Sequence, residues 1–337
     1  MTRHGRGIFH KINFFLASLL IVILLVYAYI TTFSPIEQDL TAETGSKASA
    51  QVIPLAETTN PVAHNITSLT EAADPAVLMS ADGLNSPNAI LVLLEDNTIL
   101  MQKNSEQRIY PASLTKIMTA LVAIEELDEL EKEVELPDAI FQELYKADAS
   151  MAGYLPGEKV RAIDLLYGVM LPSGAECSTG LAANISGSEQ KFVKLMNKKA
   201  SYLGMNDTHF TNSTGLQDGD HYTTVKDLSI LLSYALKNDV FRELFTTPRY
   251  STPPTNKHPD GITFYSTMFK NMKDTRIEGG SILGGKTGYT AEAGLCLASL
   301  AQKDGSEYIL VTAGARGDHE TEQYNISDAY FVYNKLD

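Results

Sequence analysis

The chain has few of the groups that bind metals, form disulfide frameworks or neutralise nucleic-acid phosphates. Its two cysteines, Cys177 and Cys296, both lie in apolar stretches, so we expect buried free thiols and not a disulfide. Its histidines show no metal-ligand spacing, so a zinc peptidase is disfavoured and no metal or other cofactor is expected. With 27 basic and 41 acidic residues, the net charge of −14 argues against binding of nucleic acid or of an anionic membrane surface by the globular part.

A long apolar run lies near the N-terminus. The segment 13–33 is predicted to be a transmembrane helix, because about 20 nearly unbroken apolar residues are enough to cross a bilayer. Three basic residues precede it, Arg3, Arg6 and Lys11. The positive-inside rule therefore places residues 1–12 in the cytosol and the body of the protein outside. An Ala-Ser-Ala sequence at 48–50 resembles a cleavage site but lies some 15 residues past the apolar run, so an uncleaved anchor is preferred over a removed signal peptide.

The composition changes after this run. Residues 34–78 are rich in Thr, Ala, Ser, Glu and Pro without helical or strand periodicity, which predicts a flexible linker. Residues 79–337, about 260 in number, are enough for one hydrophobic core. Their patterns predict a β-hairpin at 88–101 and helical regions from 113 to about 205 and at 223–237. Three strands, at 282–288, 294–302 and 307–314, and a final helix around Tyr330 follow. Strands on both sides of a helical insert predict an α+β domain with a cleft between its parts.

Two short motifs point to nucleophilic catalysis. Ser113-Leu114-Thr115-Lys116 is followed about 170 residues later by the chain's only Lys-Thr-Gly, at 286–288. Apolar positions after Ser113 recur at helical spacing, so Ser113 is predicted to open a buried helix, where free N–H groups and the helix dipole favour negative charge. Lys116 lies one turn later on the same face, within reach of the hydroxyl. The pair suggests an acyl-transfer serine enzyme.

Some similar patterns are better explained by structure. A second Ser-x-x-Lys begins at Ser188, but the polar run that follows it predicts a helix N-cap on a solvated face. The segment 221–224 (HYTT) is expected to cap the next helix. Ser173-Gly174 follows Pro172 and could begin an ordinary helix, and Lys286-Thr287-Gly288 could be an exposed turn. Because apolar residues flank the latter, a buried strand is preferred.

Five stretches, in order along the chain, resemble the motifs of one family. They are 111–119 (PASLTKIMT), 171–174 (LPSG), 210–216 (FTNSTGL), 221–224 (HYTT) and 285–290 (GKTGYT). Over roughly residues 80 to 315 the chain is similar to low-molecular-weight penicillin-binding proteins, specifically the serine-type D-alanyl-D-alanine carboxypeptidases. The resemblance implies the α+β transpeptidase fold of penicillin-binding proteins and β-lactamases, an antiparallel sheet flanked by helices with a helical insert. By this resemblance, residues 79–337 are expected to form the catalytic domain.

The resemblance also implies roles for the catalytic side chains. Ser113 would attack the carbonyl between two D-alanines and form an acyl-enzyme that water hydrolyses. Lys116 could act as the base if it is partly neutral, which desolvation and the charge of Lys286 would promote by lowering its pKa. Ser173 would bridge the two lysines and relay a proton toward the leaving amine.

The resemblance assigns substrate binding mainly to the Lys-Thr-Gly motif at 286–288. Lys286 and Thr287 would bind the terminal carboxylate of the substrate in a charge-assisted contact. The N–H groups of Ser113 and Tyr289 would form the oxyanion hole. Gly288 would allow the strand to approach the substrate closely, because it has no side chain.

Two positions depart from the family pattern. Ala175 stands where most relatives carry Asn, which puts substrate affinity and β-lactam acylation in doubt, and Glu176 could compensate only in part because a carboxylate donates no hydrogen bond. Tyr289 stands where many relatives carry His. Because only its backbone serves the oxyanion hole, this change should tune activity without abolishing it.

The implied function is hydrolysis of the terminal D-Ala-D-Ala bond of peptidoglycan stem pentapeptides, with β-lactams as covalent inhibitors. The catalytic domain would lie outside a cell membrane to which one helix anchors it. A membrane-anchored β-lactamase is an alternative, but it needs a base for rapid deacylation and no Glu-x-x-Leu-Asn segment follows Ser173. A non-catalytic sensor of β-lactams or of the cell wall is another, although a 12-residue cytosolic tail offers no output domain.

Overall fold

The computed structural model of the chain describes residues 68–73 and 78–336. The predicted cytosolic tail 1–12 and transmembrane helix 13–33 lie outside the described residues, as does most of the predicted linker 34–78. Within the described part, no helix has the length and apolar character needed to span a membrane.

Eleven strands are present in the described residues. In chain order they are β1 (Thr70–Glu71), β2 (Asn88–Leu93), β3 (Thr98–Lys103), β4 (Glu133–Glu135), β5 (Lys159–Arg161), β6 (Arg249–Ser251), β7 (Thr263–Tyr265), β8 (Arg276–Ile277), β9 (Gly280–Thr290), β10 (Gly294–Lys303) and β11 (Ser306–Ala315). Seven of them form one sheet in the order β1-β3-β2-β11-β10-β9-β8, and β4-β5 and β6-β7 are separate two-stranded pairs.

The main sheet is mixed, whereas the family resemblance predicted an antiparallel sheet. Every pairing in it is antiparallel except that of β1 with β3, which is parallel and joins Thr70 to Thr98 and Glu71 to Ile99. This two-residue strand comes from the predicted linker and covers the outer edge of β3, whose backbone groups would otherwise be open to pairing. The predicted hairpin and the three predicted strands near the C-terminus are confirmed as β2-β3 and β9 to β11.

Nine helices are described. They are α1 (Thr115–Glu126), α2 (Asp138–Lys146), α3 (Ala162–Met170), α4 (Ala175–Ser186), α5 (Glu189–Tyr202), α6 (Val225–Ala235), α7 (Asp239–Thr246), α8 (Thr267–Asn271) and α9 (Tyr324–Asn334). A short 3₁₀ turn, Ala112–Leu114, leads into α1. The described residues thus place β4, β5 and five helices between β3 and α6, which confirms the predicted helical insert.

The central strands are apolar along most of their length because both faces of the sheet are covered. In β10, Cys296 and Ala298 belong to one buried cluster, whereas Leu297 and Ala301 belong to another. Alternate side chains of a strand point to opposite faces, so the two clusters are the two cores of a three-layer domain. The first contains α1 and the other insert helices, and the second contains α9.

Candidate active site

Ser113 lies in the 3₁₀ turn at the start of α1, held between two glycine-containing segments. Gly215 has a φ of +81°, and a Cβ atom there would lie 1.9 Å from the carbonyl oxygen of Ala112. A Cβ atom on Gly288 would lie 3.1 Å from the Ser113 nitrogen. Close backbone packing therefore fixes the Ser113 turn between the segment of Gly215 and β9, since neither glycine has room for a side chain without displacement.

Lys116 points back toward Ser113 from the first turn of α1. Its Nζ donates to Ser113 Oγ at 3.3 Å and to the Thr214 carbonyl oxygen at 2.6 Å. The side chain is only 2% exposed, and this burial lowers its pKa to about 8, although Glu176, Cys177 and Glu189 each act to raise it. An amine with such a pKa is available in neutral form near neutral pH, as a general base must be.

Lys286 and Ser173 form the second polar pair of the site. Lys286 Nζ donates to Ser173 Oγ and to the Thr287 carbonyl oxygen, each at 2.9 Å. Burial, and then the charge of Lys116, hold the pKa of Lys286 well below its usual value. Because Lys116 donates to Ser113 and Thr214 and not to Ser173, the predicted bridge through Ser173 is formed on the Lys286 side alone.

Ser173 is held in an unusual backbone conformation. Its φ is +68°, in the left-handed region that non-glycine residues rarely adopt. It sits in the short connection between α3 and α4, where the Gly174 N–H donates to the Gly168 carbonyl oxygen at 2.8 Å. Residues held in such conformations concentrate at functional sites, where the surrounding structure fixes them. This geometry aims the Ser173 hydroxyl at Lys286.

The strand with the Lys-Thr-Gly motif forms one wall of the cleft, so the alternative of an exposed turn is wrong. The motif lies inside β9, where Lys286 pairs with Ala298 of β10 and Thr287 pairs with Leu297. The Thr287 hydroxyl lies 2.6 Å from that of Thr267, in α8. Tyr289, the last predicted site residue, packs edge-on against His319 with ring centroids 4.8 Å apart.

Glu176 does not take the place of the missing amide. Its Oε1 accepts from the backbone N–H groups of Ala152, Gly153 and Tyr154 at 2.7 to 3.3 Å, and burial raises its pKa in spite of these contacts. The neighbouring Ala175 N–H donates to the Ser150 carbonyl oxygen at 2.8 Å. The start of α4 thus holds the loop that carries Ser150 to the cleft, and Glu176 is a structural residue.

The cleft consists of two cavities that meet at Ser113. One, of about 220 Å³, extends along Ser173, Thr287 and the short helix α8. The other, of about 650 Å³, extends past Lys116 and Ala175. Four residues line both, namely Ser113, Ser150, Tyr289 and His319. The sequence motifs did not point to Ser150, Thr267 or His319, since each lies outside the five matched stretches.

The patterns assigned to structure are confirmed as structural. Ser188 is the N-cap of α5 and accepts from the Lys191 N–H at 3.3 Å. Thr224 caps α6 and accepts from the Asp227 N–H at 2.9 Å. His221 is buried and lies 2.8 Å from the Thr115 hydroxyl. The two cysteines are free and buried, as predicted.

Comparisons with known proteins agree with this geometry. Residues 75–317 match the Peptidase S11 family model, described as D-alanyl-D-alanine carboxypeptidase. The chain is 35% identical over 243 residues to D-alanyl-D-alanine carboxypeptidase DacF of Bacillus subtilis, a match covering 68% of this chain and 57% of that protein. It is 30% identical over 247 residues to a D-alanyl-D-alanine carboxypeptidase of Streptomyces sp. K15, covering 71% of this chain and 84% of that protein.

Solved structures of similar fold support the same family assignment. The crystal structure of the Streptomyces K15 DD-transpeptidase superposes with a TM-score of 0.68 at 27% identity, covering 76% of this chain and 98% of that one. A D-alanyl-D-alanine carboxypeptidase from Mycobacterium tuberculosis superposes with a TM-score of 0.67 at 25% identity, covering 78% and 95%. The chain spans little more than half the length of DacF but nearly all of these two solved chains. The protein belongs to the S11 family of D-alanyl-D-alanine carboxypeptidases.

Proposed function

We propose that the protein is a serine-type D-alanyl-D-alanine carboxypeptidase that removes the terminal D-alanine from peptidoglycan stem pentapeptides. The observation that carries the proposal is the convergence of two lysine–serine pairs on one cleft, Lys116 with Ser113 and Lys286 with Ser173. The first pair supplies an activated nucleophile, and the second supplies a hydroxyl that can pass a proton to a leaving amine.

Acylation uses both pairs. Ser113 Oγ attacks the carbonyl carbon of the penultimate D-alanine while neutral Lys116 takes the hydroxyl proton. The N–H groups of Ser113 and Tyr289 stabilise the oxyanion, and the close approach of Gly288 in β9 to the Ser113 nitrogen supports this assignment. The C–N bond then breaks, and Ser173 gives its proton to the departing D-alanine nitrogen and regains one from Lys286.

Deacylation returns the enzyme to its starting state. A water molecule attacks the ester carbonyl of the acyl-enzyme and loses its proton through Ser173 to Lys286, which is neutral after acylation, while Ser113 Oγ leaves with the proton that Lys116 had taken. β-Lactams carry a strained amide that opens on the same serine but leaves no departing fragment. We therefore expect them to accumulate as covalent adducts of Ser113.

A matched pair of serine variants tests the proposal. Ser113→Ala should release no D-alanine from a stem pentapeptide and should show no mass increase after penicillin treatment. Ser188→Ala removes the other Ser-x-x-Lys serine, a surface N-cap, and should retain both properties. An adduct that persists in Ser113→Ala would refute the assignment of the nucleophile.

The alternative functions give different results in the same assay. A β-lactamase would turn over many equivalents of penicillin and release little D-alanine from the peptide. A sensor would form the adduct and release no D-alanine at all. Transfer of the acyl group to an added amino acid would show that the site also performs transpeptidation.

We also propose that the predicted helix 13–33 anchors the enzyme to the cell membrane, with the catalytic domain 79–337 outside. The support is the length of the apolar run and the basic residues before it. In cells, the full chain should sediment with membranes and be accessible to protease added from outside. A variant lacking residues 1–33 should lose the membrane association, and a full chain that stays soluble after lysis would contradict the proposal.

A further inference from the structure

The wall of the larger cavity carries one side-chain carboxamide. Among the described residues that line this cavity, Gln217 alone is an asparagine or glutamine, and it does not line the smaller cavity beside Ser173. Ala175 lines the same space with only a methyl group. A carboxamide is the side chain that most closely matches a peptide group, because it has both N–H donors and a carbonyl acceptor. Gln217 is therefore the residue of this wall best suited to pair with a peptide bond.

The side chain of Gln217 reaches the end of β9. Its Oε1 accepts from the hydroxyl of Thr290 at 3.3 Å. That hydroxyl in turn accepts from the Ala293 N–H at 3.0 Å, so its own proton is free to go to Gln217. Because the amide oxygen takes this proton, the amide nitrogen is the end that is left over. In the part of the chain that the structure describes, Gln217 Nε2 has no hydrogen-bond partner, and its two protons are available to a ligand.

The segment before Gln217 is fixed by its own hydrogen bonds. Asn212 Oδ1 accepts from the N–H groups of Thr214 and Gly215 at 3.2 and 2.7 Å. Gly215 packs directly against the backbone of the Ser113 turn. The carboxamide of Gln217 therefore starts from a backbone position that is set relative to the nucleophile, two residues beyond this contact.

The two cavities divide the substrate at Ser113. Ser173, which gives a proton to the departing D-alanine in the proposed reaction, lines only the smaller cavity. The acyl part of the substrate therefore extends into the larger cavity, where Gln217 lies. The first peptide group on that side is the amide that joins the penultimate D-alanine to the residue before it. Its carbonyl oxygen needs a donor, because it loses hydrogen bonds to water when the peptide enters the cleft.

We propose that the Nε2 protons of Gln217 bind the carbonyl oxygen of this first amide and so hold the acyl part of the substrate against Ser113. Gln217 supplies to the larger cavity the amide donor that Ala175 does not. The Thr290 hydroxyl holds the carboxamide oxygen and so turns the nitrogen to the ligand. The inference rests on the proposed acyl transfer at Ser113, and it names the group that selects a penultimate residue whose amine is acylated.

Two β-lactams that differ at this amide test the assignment. Benzylpenicillin carries an acylated amine next to its β-lactam ring, whereas aminopenicillanic acid carries the free amine. Gln217→Glu keeps the length of the side chain and the acceptor for Thr290, but an ionised carboxylate has no proton to donate. Gln217→Met is uncharged and lacks both groups. In both variants, the ratio of the acylation rate constants for benzylpenicillin and aminopenicillanic acid should fall about 5- to 20-fold, the scale of one lost hydrogen bond.

Gln142→Met is the matched control, because Gln142 is exposed on α2 and lines neither cavity. It should leave both rate constants unchanged. If the bond between Gln217 and Thr290 only braces the Ser113 turn, Gln217→Met should slow both β-lactams equally, and Gln217→Glu, which keeps that bond, should slow neither. Equal effects on the two β-lactams, or an unchanged ratio in both variants, would overturn the proposal.

Release of D-alanine is measured separately, so that the two proposals can fail independently. If the wild type is acylated by benzylpenicillin but releases no D-alanine, the carboxypeptidase function fails, and the β-lactam ratio for Gln217→Met still decides the role of Gln217. If D-alanine is released, kcat/KM for a stem pentapeptide should fall about 5- to 20-fold in Gln217→Met. A value equal to that of the wild type would show that Gln217 does not bind the peptide.

Discussion

Raising the pH from 7 to 9 should accelerate acylation of Ser113 about tenfold, because the reaction needs neutral Lys116. With a pKa of about 8, Lys116 is neutral in about 9% of molecules at pH 7 and about 90% at pH 9. At the usual pKa of 10.5 it would be neutral in only about 0.03% at pH 7. Burial therefore supplies roughly 300 times more of the active base at neutral pH, equivalent to about 3 kcal/mol.

The same shift has a defined effect on stability. Since the pKa of Lys116 is lower in the folded protein than the usual 10.5, the unfolded chain binds more protons between about pH 8 and 10.5. The contribution of Lys116 is therefore unfavourable below pH 8, and stability is recovered as the pH rises through that window. Other groups titrate there as well, so acylation kinetics are the more specific measurement.

The assay is the second-order rate constant for acylation by a fluorescent penicillin between pH 6 and 10. Lys116→Arg retains the charge but cannot lose its proton, so it should not acylate at any pH in this range. Glu176→Gln removes a nearby carboxylate that raises the Lys116 pKa, so the inflection should move below 8. A flat profile from pH 7 to 9, or Lys116→Arg that acylates at the wild-type rate, would refute the reasoning.

Three further outcomes are expected. Lys286→Gln should lower kcat/KM for acid and amide substrates to a similar extent, because Lys286 bonds to Ser173; a selective loss for the acid would show that Lys286 binds the substrate carboxylate instead. Burial lowers the pKa of His221 to about 4, so the free energy of unfolding should fall by up to roughly 3 kcal/mol between pH 6.5 and pH 4. Urea unfolding of His221→Gln should show a smaller fall over the same pH range. Ala175→Asn should speed penicillin acylation by placing an amide donor in the larger cavity, whereas Ala175→Val, of comparable bulk, should not.

Local sequence patterns were sufficient to predict the positions of site residues that lie on long, regular helices and strands. The apolar spacing after Ser113 predicted a buried helix with Lys116 one turn on, and the structure has α1 with Lys116 Nζ 3.3 Å from the hydroxyl. The apolar residues around Lys286 predicted a strand, which is β9. In both cases the repeat of the element itself fixes the direction of the side chain.

Tertiary contacts determine the parts of the site that no local sequence pattern indicated. The helix α8 has five residues, too few to be stable alone, and its start depends on the hydrogen bond from Thr267 to the Leu171 carbonyl oxygen. No periodic pattern marks so short an element, so Thr267 was not predicted. Likewise no local pattern marks the φ of +68° at Ser173, and the backbone partners of Glu176 lie 22 to 24 residues earlier in the chain.

The two lysines that contact the serines of this cleft are both buried, and their burial suits proton transfer. An amine that accepts a proton from Ser113, or passes one through Ser173, needs a pKa below that of an exposed lysine, and burial lowers the pKa of Lys116 to about 8 and holds that of Lys286 well below its usual value. The same burial works against holding a carboxylate, because a buried amine stays charged only where an opposite charge or hydrogen bonds compensate for the lost water. In the cleft, each lysine donates to one serine hydroxyl and one backbone carbonyl oxygen, and the pKa of about 8 suits Lys116 to take a proton from Ser113.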